Sequence, residues 1–155
     1  IRDRYSLMNR AIKIIAYLAI ASLLSYLANN GDREFIKGFS SNIISLLTTI
    51  LAINIPTSTL IISEINRIKE KMDIHSTATF NELKHGLIMQ IVVLVCLFVI
   101  QTLCAFLKNK NIIEESVINI VSDSFVIAAF IYYLEVIYDL GIALFDLITF
   151  KVKDK

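Results

Sequence analysis

The sequence predicts an all-α fold, a single integral membrane domain over residues 1–155 that is built as a four-helix bundle. Of the 155 residues, 56% are hydrophobic and 19% are charged, and the mean hydropathy is +0.69. Soluble domains contain about 45–50% apolar and about 25% charged residues. The apolar residues also fall into four long runs, and Lys and Arg concentrate in alternate connections between them. These three observations exclude a disordered segment, a nucleic-acid-binding arm and an ordinary cytosolic enzyme.

The first two apolar runs predict membrane-spanning helices over residues 12–28 and 38–63. The first run is short for a span, but Lys13 near its start can extend its side chain to the lipid headgroups. The Asn-Asn-Gly-Asp stretch at residues 29–32 then ends the helix. The second run contains no charged residue, but Pro56 lies within it. Because proline removes a backbone hydrogen bond, we expect a kink at Pro56 and treat it as a candidate gating hinge.

The last two runs differ in how clearly they end. Residues 86–107 contain no charged residue and predict the third span, whereas the fourth run extends from residue 116 to residue 150 and includes four carboxylates. A helix of that length is about 52 Å long, well beyond the ~30 Å hydrocarbon core of a bilayer. The fourth span is therefore predicted at residues 116–137, followed by a cytoplasmic or interfacial C-terminal helix at residues 138–155.

The distribution of cations predicts the orientation of the chain. Eleven of the fifteen Lys and Arg residues flank one side of the four spans, and four flank the other. The larger group comprises Arg2, Arg4, Arg10, Lys13, Arg67, Lys69, Lys71, Lys84, Lys151, Lys153 and Lys155, and the smaller one Arg33, Lys37, Lys108 and Lys110. Since loops rich in Lys and Arg stay in the cytoplasm, both termini and the second connection are predicted to be cytoplasmic.

The second connection, residues 64–85, is predicted to be a helical hairpin that projects from the membrane. Apolar residues recur at helical spacing through residues 61–72, so the second helix continues beyond the lipid. The Thr-Phe-Asn-Glu stretch at residues 79–82 resembles a capping box that opens the third helix. The exposed cations Arg67, Lys69 and Lys71 are the candidate binding surface for a cytoplasmic protein partner.

Three carboxylates of the fourth run are predicted to form an acidic stripe. Glu135, Asp139 and Asp146 lie at i, i+4 and i+11, within about 40° of one another around a helix, whereas Asp123 lies about 120° away. Carboxylates at bilayer depth are costly, and they are typical of an ion path or a proton relay. In a symmetric oligomer the stripe would form cation-selecting rings. Alternatively, the helix leaves the membrane near Leu134 and the stripe faces cytoplasmic water.

Small polar residues of the second run are predicted to share one face of its helix. They are spaced mainly by three or four residues and comprise Ser41, Ser45, Thr48, Thr59 and Ser63. This face would either line a pore or pack closely against another helix. In the third run, Gln90 and Gln101 lie eleven residues apart and therefore share a face, where interhelical hydrogen bonds are expected.

The sequence contains no signature of enzymatic chemistry. It has no GxSxG, HExxH or phosphate-binding glycine loop. Glu82-x-x-His85 resembles half of a di-iron motif, but the second half is missing, and His75 alone does not replace it. We therefore expect no catalytic residue, no metal site and no cofactor. The net charge of +1 gives no reason to expect direct binding of nucleic acid.

The four runs, the cytoplasmic termini, the charged hairpin Glu64–Lys84 and the Ile/Asn/Lys-rich composition together resemble a known class of proteins. They are similar to the small four-helix membrane subunits of bacterial antiviral defence systems, such as the membrane component of Kiwa-type systems or the membrane effectors of nucleotide-signalling systems. The resemblance implies location in the bacterial inner membrane, homo-oligomerisation and coupling of a cytoplasmic partner to membrane integrity. It assigns no functional residue.

The leading functional hypothesis from the sequence is an oligomeric inner-membrane protein that forms or gates an ion path or senses membrane disturbance. Four short spans enclose little space, so a pore would need several copies of the chain. Two alternatives remain. One is a non-conducting membrane anchor or scaffold for a cytoplasmic partner, and the other is a holin-like protein that permeabilises the membrane.

Overall fold

The computed structural model describes the backbone of residues 2–31, 33–71, 77–110 and 113–153, and the side chains of residues 12–31, 33–67, 81, 83–110 and 113–145. Within these residues the chain forms four α-helices and no strand. They are α1 (Arg2–Asn30), α2 (Glu34–Lys71), α3 (Thr77–Asn109) and α4 (Glu115–Lys153). The predicted all-α class and the four predicted helices are confirmed.

Each helix contains a segment long and apolar enough to cross a membrane. These segments are Ile12–Asn30, Glu34–Arg67, Leu83–Asn109 and Glu115–Phe145, with mean hydropathies from 1.6 to 2.6. Each includes the corresponding predicted span and extends beyond it.

The helix ends follow from local hydrogen bonds. At the end of α1, the Gly31 N–H donates to the Leu27 carbonyl at 3.0 Å and the Asn30 side chain donates to the Tyr26 carbonyl at 2.9 Å. These bonds supply hydrogen-bond donors to carbonyls of the last helical turn, where backbone donors are often missing. α3 begins at Thr77, before the predicted capping box at residues 79–82, so the start of this helix was predicted slightly too late.

Two helices continue through positions where the sequence predicts a kink or a boundary. α2 passes through Pro56 and runs on to Lys71, although proline cannot donate to the carbonyl four residues earlier. α4 is one helix from Glu115 to Lys153, so its backbone has no break near residue 138. The length of α2 beyond Arg67 agrees with the helical periodicity of residues 61–72.

Contacts within the chain define two compact units. Unit one comprises Ile1–Ser45 and Val95–Tyr132, and unit two comprises Leu46–Leu94 and Tyr133–Lys155. In unit one, Ala21, Ile36 and Ile127 form a buried apolar cluster, and the Phe39 ring meets Phe130 edge-on at 5.2 Å. The small side chain of Ala21 allows α1 to approach its neighbours closely, as is usual between membrane helices.

Unit two packs around the buried side chains of Leu47, Ile61, Tyr133 and Leu140. They come from α2 and α4, and polar residues of the neighbouring helix turns are buried together with them.

Large apolar side chains are exposed on every helix. Ile15, Leu60, Phe98 and Phe145, one from each helix, are 59–71% exposed. In water, apolar surface of this extent promotes association, whereas in lipid it carries no comparable penalty because the acyl chains are themselves apolar. The outer surface is thus typical of a chain surrounded by lipid.

Candidate functional site

The polar side chains that the structure buries are the starting point for a functional site. Seven polar or charged residues are buried among the described ones, while many large apolar residues are exposed. The seven are Ser25, Asn54, Ser58, Gln90, Asn119, Asp123 and Ser124. A buried polar group must find a hydrogen-bond partner or water, because leaving it unbonded costs about 1–3 kcal/mol. The two units meet this requirement in different ways.

In unit one, Asp123 of α4 is the centre of a paired cluster. Its Oδ1 accepts a hydrogen bond from Ser40 Oγ at 2.7 Å, and its Oδ2 lies 3.7 Å from Arg33 Nη2. The Asp123 side chain is 7% exposed and that of Arg33 is 34% exposed, so the carboxylate is buried while the guanidinium reaches the surface. The Ser40 carbonyl also accepts from Gln101 Nε2 at 3.3 Å, which adds α3 to the cluster.

Further bonds of unit one also end on α4. The hydroxyls of Ser25 and Ser124 both donate to the Ile120 carbonyl, at 2.8 Å and 2.6 Å. Asn29 Nδ2 donates to Ser116 Oγ at 2.9 Å, which ties the end of α1 to the start of α4. Ser25, Ser124 and Asp123 therefore have hydrogen-bond partners, which fixes helix positions. Arg33 Nε and Asn119 Nδ2 are buried without a hydrogen-bond partner among the described residues.

Lys108 forms an ion pair with Glu115 in the same unit. The pair joins the end of α3 to the start of α4, and both side chains are exposed, so it contributes little to stability.

In unit two, four buried side-chain atoms lack partners within the described residues. They are Asn54 Nδ2, Ser58 Oγ and both side-chain polar atoms of Gln90, Nε2 and Oε1. Ser58 and Gln90 are fully buried and Asn54 is 4% exposed. The fully buried Tyr133 hydroxyl donates to the Gln90 carbonyl at 2.7 Å, which holds α4 against α3 at this level. We refer to Asn54, Ser58 and Gln90 as the polar centre.

The polar centre adjoins a pocket of about 350 Å³ within unit two. Ser58 and Asp139 line it together with Leu83, Leu87, Val136 and Leu140, and Gly86 forms part of its wall. Asn54 lies one helical turn from Ser58 on the same face of α2, and Gln90 lies one turn from Gly86 on α3. The side-chain amides of Asn54 and Gln90 thus extend the polar surface from the pocket wall toward the interior of the unit.

The predicted acidic stripe is divided between described and undescribed side chains. Asp139 is exposed and lines the pocket, and Glu135 is half-buried one turn earlier. Both lie in the apolar segment Glu115–Phe145 of α4. The side chain of Asp146 lies outside the described residues, so the full stripe stays a prediction.

The predicted polar face of α2 is the exposed face in the single chain. Ser41, Ser45, Thr48, Thr59 and Ser63 are all exposed. Ser41 and Thr59 donate to the carbonyls of Gly38 and Ile55 on their own helix, and Pro56 is exposed between them. The buried face of α2 carries Ile43, Leu47, Asn54, Ser58 and Ile61. Pore lining or helix packing by the predicted face would thus need a second molecule, and the hinge at Pro56 stays a prediction.

The two glutamines of α3 behave differently from each other. Gln101 makes the expected interhelical hydrogen bond, to the Ser40 carbonyl. The side chain of Gln90 makes none among the described residues, and only its backbone carbonyl is bonded across helices. The expectation of an interhelical side-chain bond was therefore wrong for Gln90.

Of the predicted cationic surface, Arg67 is the residue whose side chain is described. It forms an exposed ion pair with Glu64 at 2.9 Å, whereas the side chains of Lys69 and Lys71 lie outside the described residues. His75 and the Glu82 side chain also lie outside them. The part of the chain that is described contains no group of three His, Cys, Asp or Glu residues that could hold a metal ion.

The reasoning from sequence missed Asp123 as a structural centre and missed Ser58 altogether. A signal for Asp123 existed, because a carboxylate inside an apolar run requires compensation and Arg33 lies at the edge of another run. Ser58 could have been found as the i+4 neighbour of Asn54, an amide that lies within the second predicted span.

No protein-family model, no curated protein and no solved structure matches this chain.

Proposed function

We propose that the chain is a multi-pass protein of the bacterial inner membrane that assembles as an oligomer and forms or gates an ion path. The observation that carries the proposal is the polar centre, whose buried side-chain atoms have no hydrogen-bond partner among the described residues. Its residues lie on segments of α2 and α3 that are apolar enough to cross a membrane. The antiviral-defence setting comes from the resemblance of the sequence.

The polar centre needs hydrogen-bond partners that the described residues do not supply. Each unbonded polar group buried in an apolar medium costs about 1–3 kcal/mol, a cost that water or a passing ion removes. The adjoining pocket supplies space for water, and Asp139 supplies negative charge. Since carboxylates attract cations and repel anions, the proposed path selects cations. Glu135, one turn from Asp139, adds to the same potential.

The exposed face of α2 supports assembly into an oligomer. Its Ser and Thr residues are small, and the hydroxyls of Ser41 and Thr59 already donate hydrogen bonds to carbonyls of α2 itself. Such a face allows close approach of a second helix without loss of hydrogen bonds. Pro56 on this face is the proposed hinge for gating.

Coupling to a cytoplasmic partner is assigned to the second connection. α2 runs on to Lys71, past the predicted second span at residues 38–63, and α3 begins at Thr77, before the predicted third span at residues 86–107. Helical backbone beyond the predicted spans would lie outside the membrane, where Arg67, Lys69 and Lys71 would contact an acidic surface of the partner. Both termini are proposed to lie on the same, cytoplasmic side.

Ion flux from proteoliposomes tests the proposal. The wild-type protein is expected to release K⁺, and a Glu135→Gln/Asp139→Asn variant is expected to conduct less or to lose selectivity for cations. Thr102→Val serves as a control, because Thr102 is exposed on α3 and bonds within its own helix. Flux of the acidic variant equal to that of wild type, with unchanged selectivity, would contradict a role for these carboxylates.

The second candidate function is a non-conducting anchor for a cytoplasmic partner. It is favoured by unit one, where the Asp123 cluster and the bonds to Ile120 fix the helices rather than open a path. A pull-down distinguishes it. Loss of a stable partner from the Arg67→Ala/Lys69→Ala/Lys71→Ala variant, in a protein that shows no flux, would support the anchor.

A further inference from the structure

The pocket of unit two combines one acidic group, one hydroxyl and an apolar wall. Ser58 lines it with a fully buried Oγ that has no hydrogen-bond partner among the described residues, and Asp139 lines it from α4. Leu83, Leu87 and Leu140 provide much of the remaining wall. Small-molecule sites typically show this composition, with a mainly apolar lining and a few convergent polar groups.

We propose that this pocket binds an amphipathic amine, a compact apolar body that carries an ammonium group. The ammonium would pair with the Asp139 carboxylate and donate to Ser58 Oγ, while the apolar body would contact the leucines. A volume of about 350 Å³ lies within the range of pockets that hold small organic ligands, about 300–1,000 Å³. The proposal does not require conduction, and it holds for an anchor as well as for an ion path.

The charge of the pocket decides between ligand classes. Among the described residues that line it, Asp139 is the charged one, and a carboxylate favours a cationic ligand over an anionic one. A bare divalent cation needs about six oxygen ligands, and the described wall offers only the Asp139 carboxylate and the Ser58 hydroxyl from side chains. An ammonium needs fewer partners, and its apolar body gains from displacing water next to the leucines.

Gly86 gives the pocket part of its space and offers a way to remove it. A Cβ atom built at Gly86 meets no atom within 4 Å, so a larger side chain there would extend into open space rather than into packed atoms. Gly38 on α2 is a matched control, because its Cβ also meets nothing within 4 Å, but it is exposed and lies outside the pocket. Leucine at either position replaces a helical glycine, so both variants change backbone freedom alike.

Two sources could supply the amine. Gly86 and Leu87 lie at the start of the predicted third span, residues 86–107, and Asp139 lies just past the predicted fourth span, residues 116–137. In a bilayer the ends of membrane spans lie where the headgroups meet the hydrocarbon. A primary amine of a phospholipid headgroup and a free amphipathic amine therefore offer the same chemistry to the pocket.

Three probes of one shape test the proposal: 1-adamantylamine, 1-adamantanol and 1-adamantanecarboxylate, titrated calorimetrically into the full chain in maltoside micelles. The amine is expected to bind at least about tenfold more tightly than the alcohol, and the carboxylate is expected not to bind, because one ion pair provides the difference. Asp139→Asn should remove that tenfold preference. Gly86→Leu should abolish binding, and Gly38→Leu should preserve it.

Equal affinity for the three probes, no binding of the amine to the wild type, or full binding to a folded Gly86→Leu variant would overturn the proposal. Circular dichroism and elution volume report folding. Ala143→Leu fills the same pocket from α4 and takes the place of Gly86→Leu if that variant does not fold.

Nanodiscs then identify the source of the amine. Weaker probe binding in phosphatidylethanolamine discs than in phosphatidylglycerol discs, for wild type but not for Asp139→Asn, supports a lipid headgroup as the occupant. Equal binding in both discs supports a free amine. Because binding is measured without flux, loss of the amine site and failure of the ion path give separate results.

Discussion

Ser40 and Asp123 form a 2.7 Å hydrogen bond between α2 and α4, and the adjacent Ser41 bonds only within its own helix. Two neighbouring serines thus have different tasks, because one faces the buried carboxylate and the other is exposed. Ser40 completes the pairing of a charge that would be costly without it. Substitution of the two serines by alanine is therefore expected to have unequal effects on stability.

Ser40→Ala is expected to lower the free energy of unfolding by about 1–3 kcal/mol, since it leaves one oxygen of a buried carboxylate with one bond fewer. Ser41→Ala is expected to change it by less than about 0.5 kcal/mol, as for most surface substitutions. Reversible unfolding in mixed micelles measures both values. Equal effects of the two substitutions would show that the Ser40–Asp123 bond has no special weight.

Removal of the Asp123 charge alone is expected to lower the free energy of unfolding more than removal of the Asp123 and Arg33 charges together. Asp123→Leu leaves Arg33 without its carboxylate, and breaking a buried pair costs about 3–5 kcal/mol. We expect the lower end of that range because the Arg33 side chain is 34% exposed. The double variant Arg33→Met/Asp123→Leu should recover at least half of the loss. A double variant as unstable as the sum of the single ones would contradict this account of the pair.

Tyr133→Phe is expected to destabilise the protein by about 1 kcal/mol. The substitution removes the donor of the buried 2.7 Å bond to the Gln90 carbonyl without changing the packing of the ring. Tyr138→Phe is the control, because Tyr138 is 68% exposed, and it should have no measurable effect. The same micelle unfolding measures both, and a neutral Tyr133→Phe would mean that the bond makes no net contribution.

Gln90→Met is expected to raise the free energy of unfolding while lowering ion flux. The side-chain atoms of Gln90 are fully buried without partners among the described residues, so an apolar side chain of similar size removes a cost of about 1–3 kcal/mol. The same change removes polar lining from the proposed path. Gln101→Met is the counterpart, and it should destabilise, because Gln101 donates to the Ser40 carbonyl. Destabilisation by Gln90→Met would indicate that its amide is satisfied.

The four helices could be predicted from the sequence because a lipid-compatible span needs about twenty apolar residues, and length and composition reveal this directly. The inward face of α2 could not. Membrane helices carry apolar residues both inside and outside, so the periodicity that orients a soluble helix is weak. The exposed hydroxyls of Ser41 and Thr59 bond to their own backbone, which removes the cost that would have placed them inside.

The candidate site was predicted only in part. Asp139 belonged to the predicted acidic stripe, but its neighbour in the pocket wall, Ser58, lies eighty-one positions earlier in the chain. Likewise, Arg33 and Asp123 come from distant parts of the sequence. Such pairs depend on how α2 and α4 pack, and neither helix encodes the other's rotation.

The central claim is that the polar centre is open to an ion path, and water access to Ser58 tests this claim most directly. The measurement needs no trigger that opens a gate. Ser58→Cys is introduced into a Cys96→Ala/Cys104→Ala background and treated with a charged methanethiosulfonate in liposomes. Ser124→Cys, buried and bonded in the parent to the Ile120 carbonyl, is the closed control, and Arg67→Cys is the open one. The thiolate of the cysteine attacks the reagent, forms a mixed disulfide and displaces methanesulfinate, and thiolates form where water reaches the sulfur. The account predicts labelling of Ser58→Cys at a rate close to that of Arg67→Cys, and a rate as low as that of Ser124→Cys would contradict it.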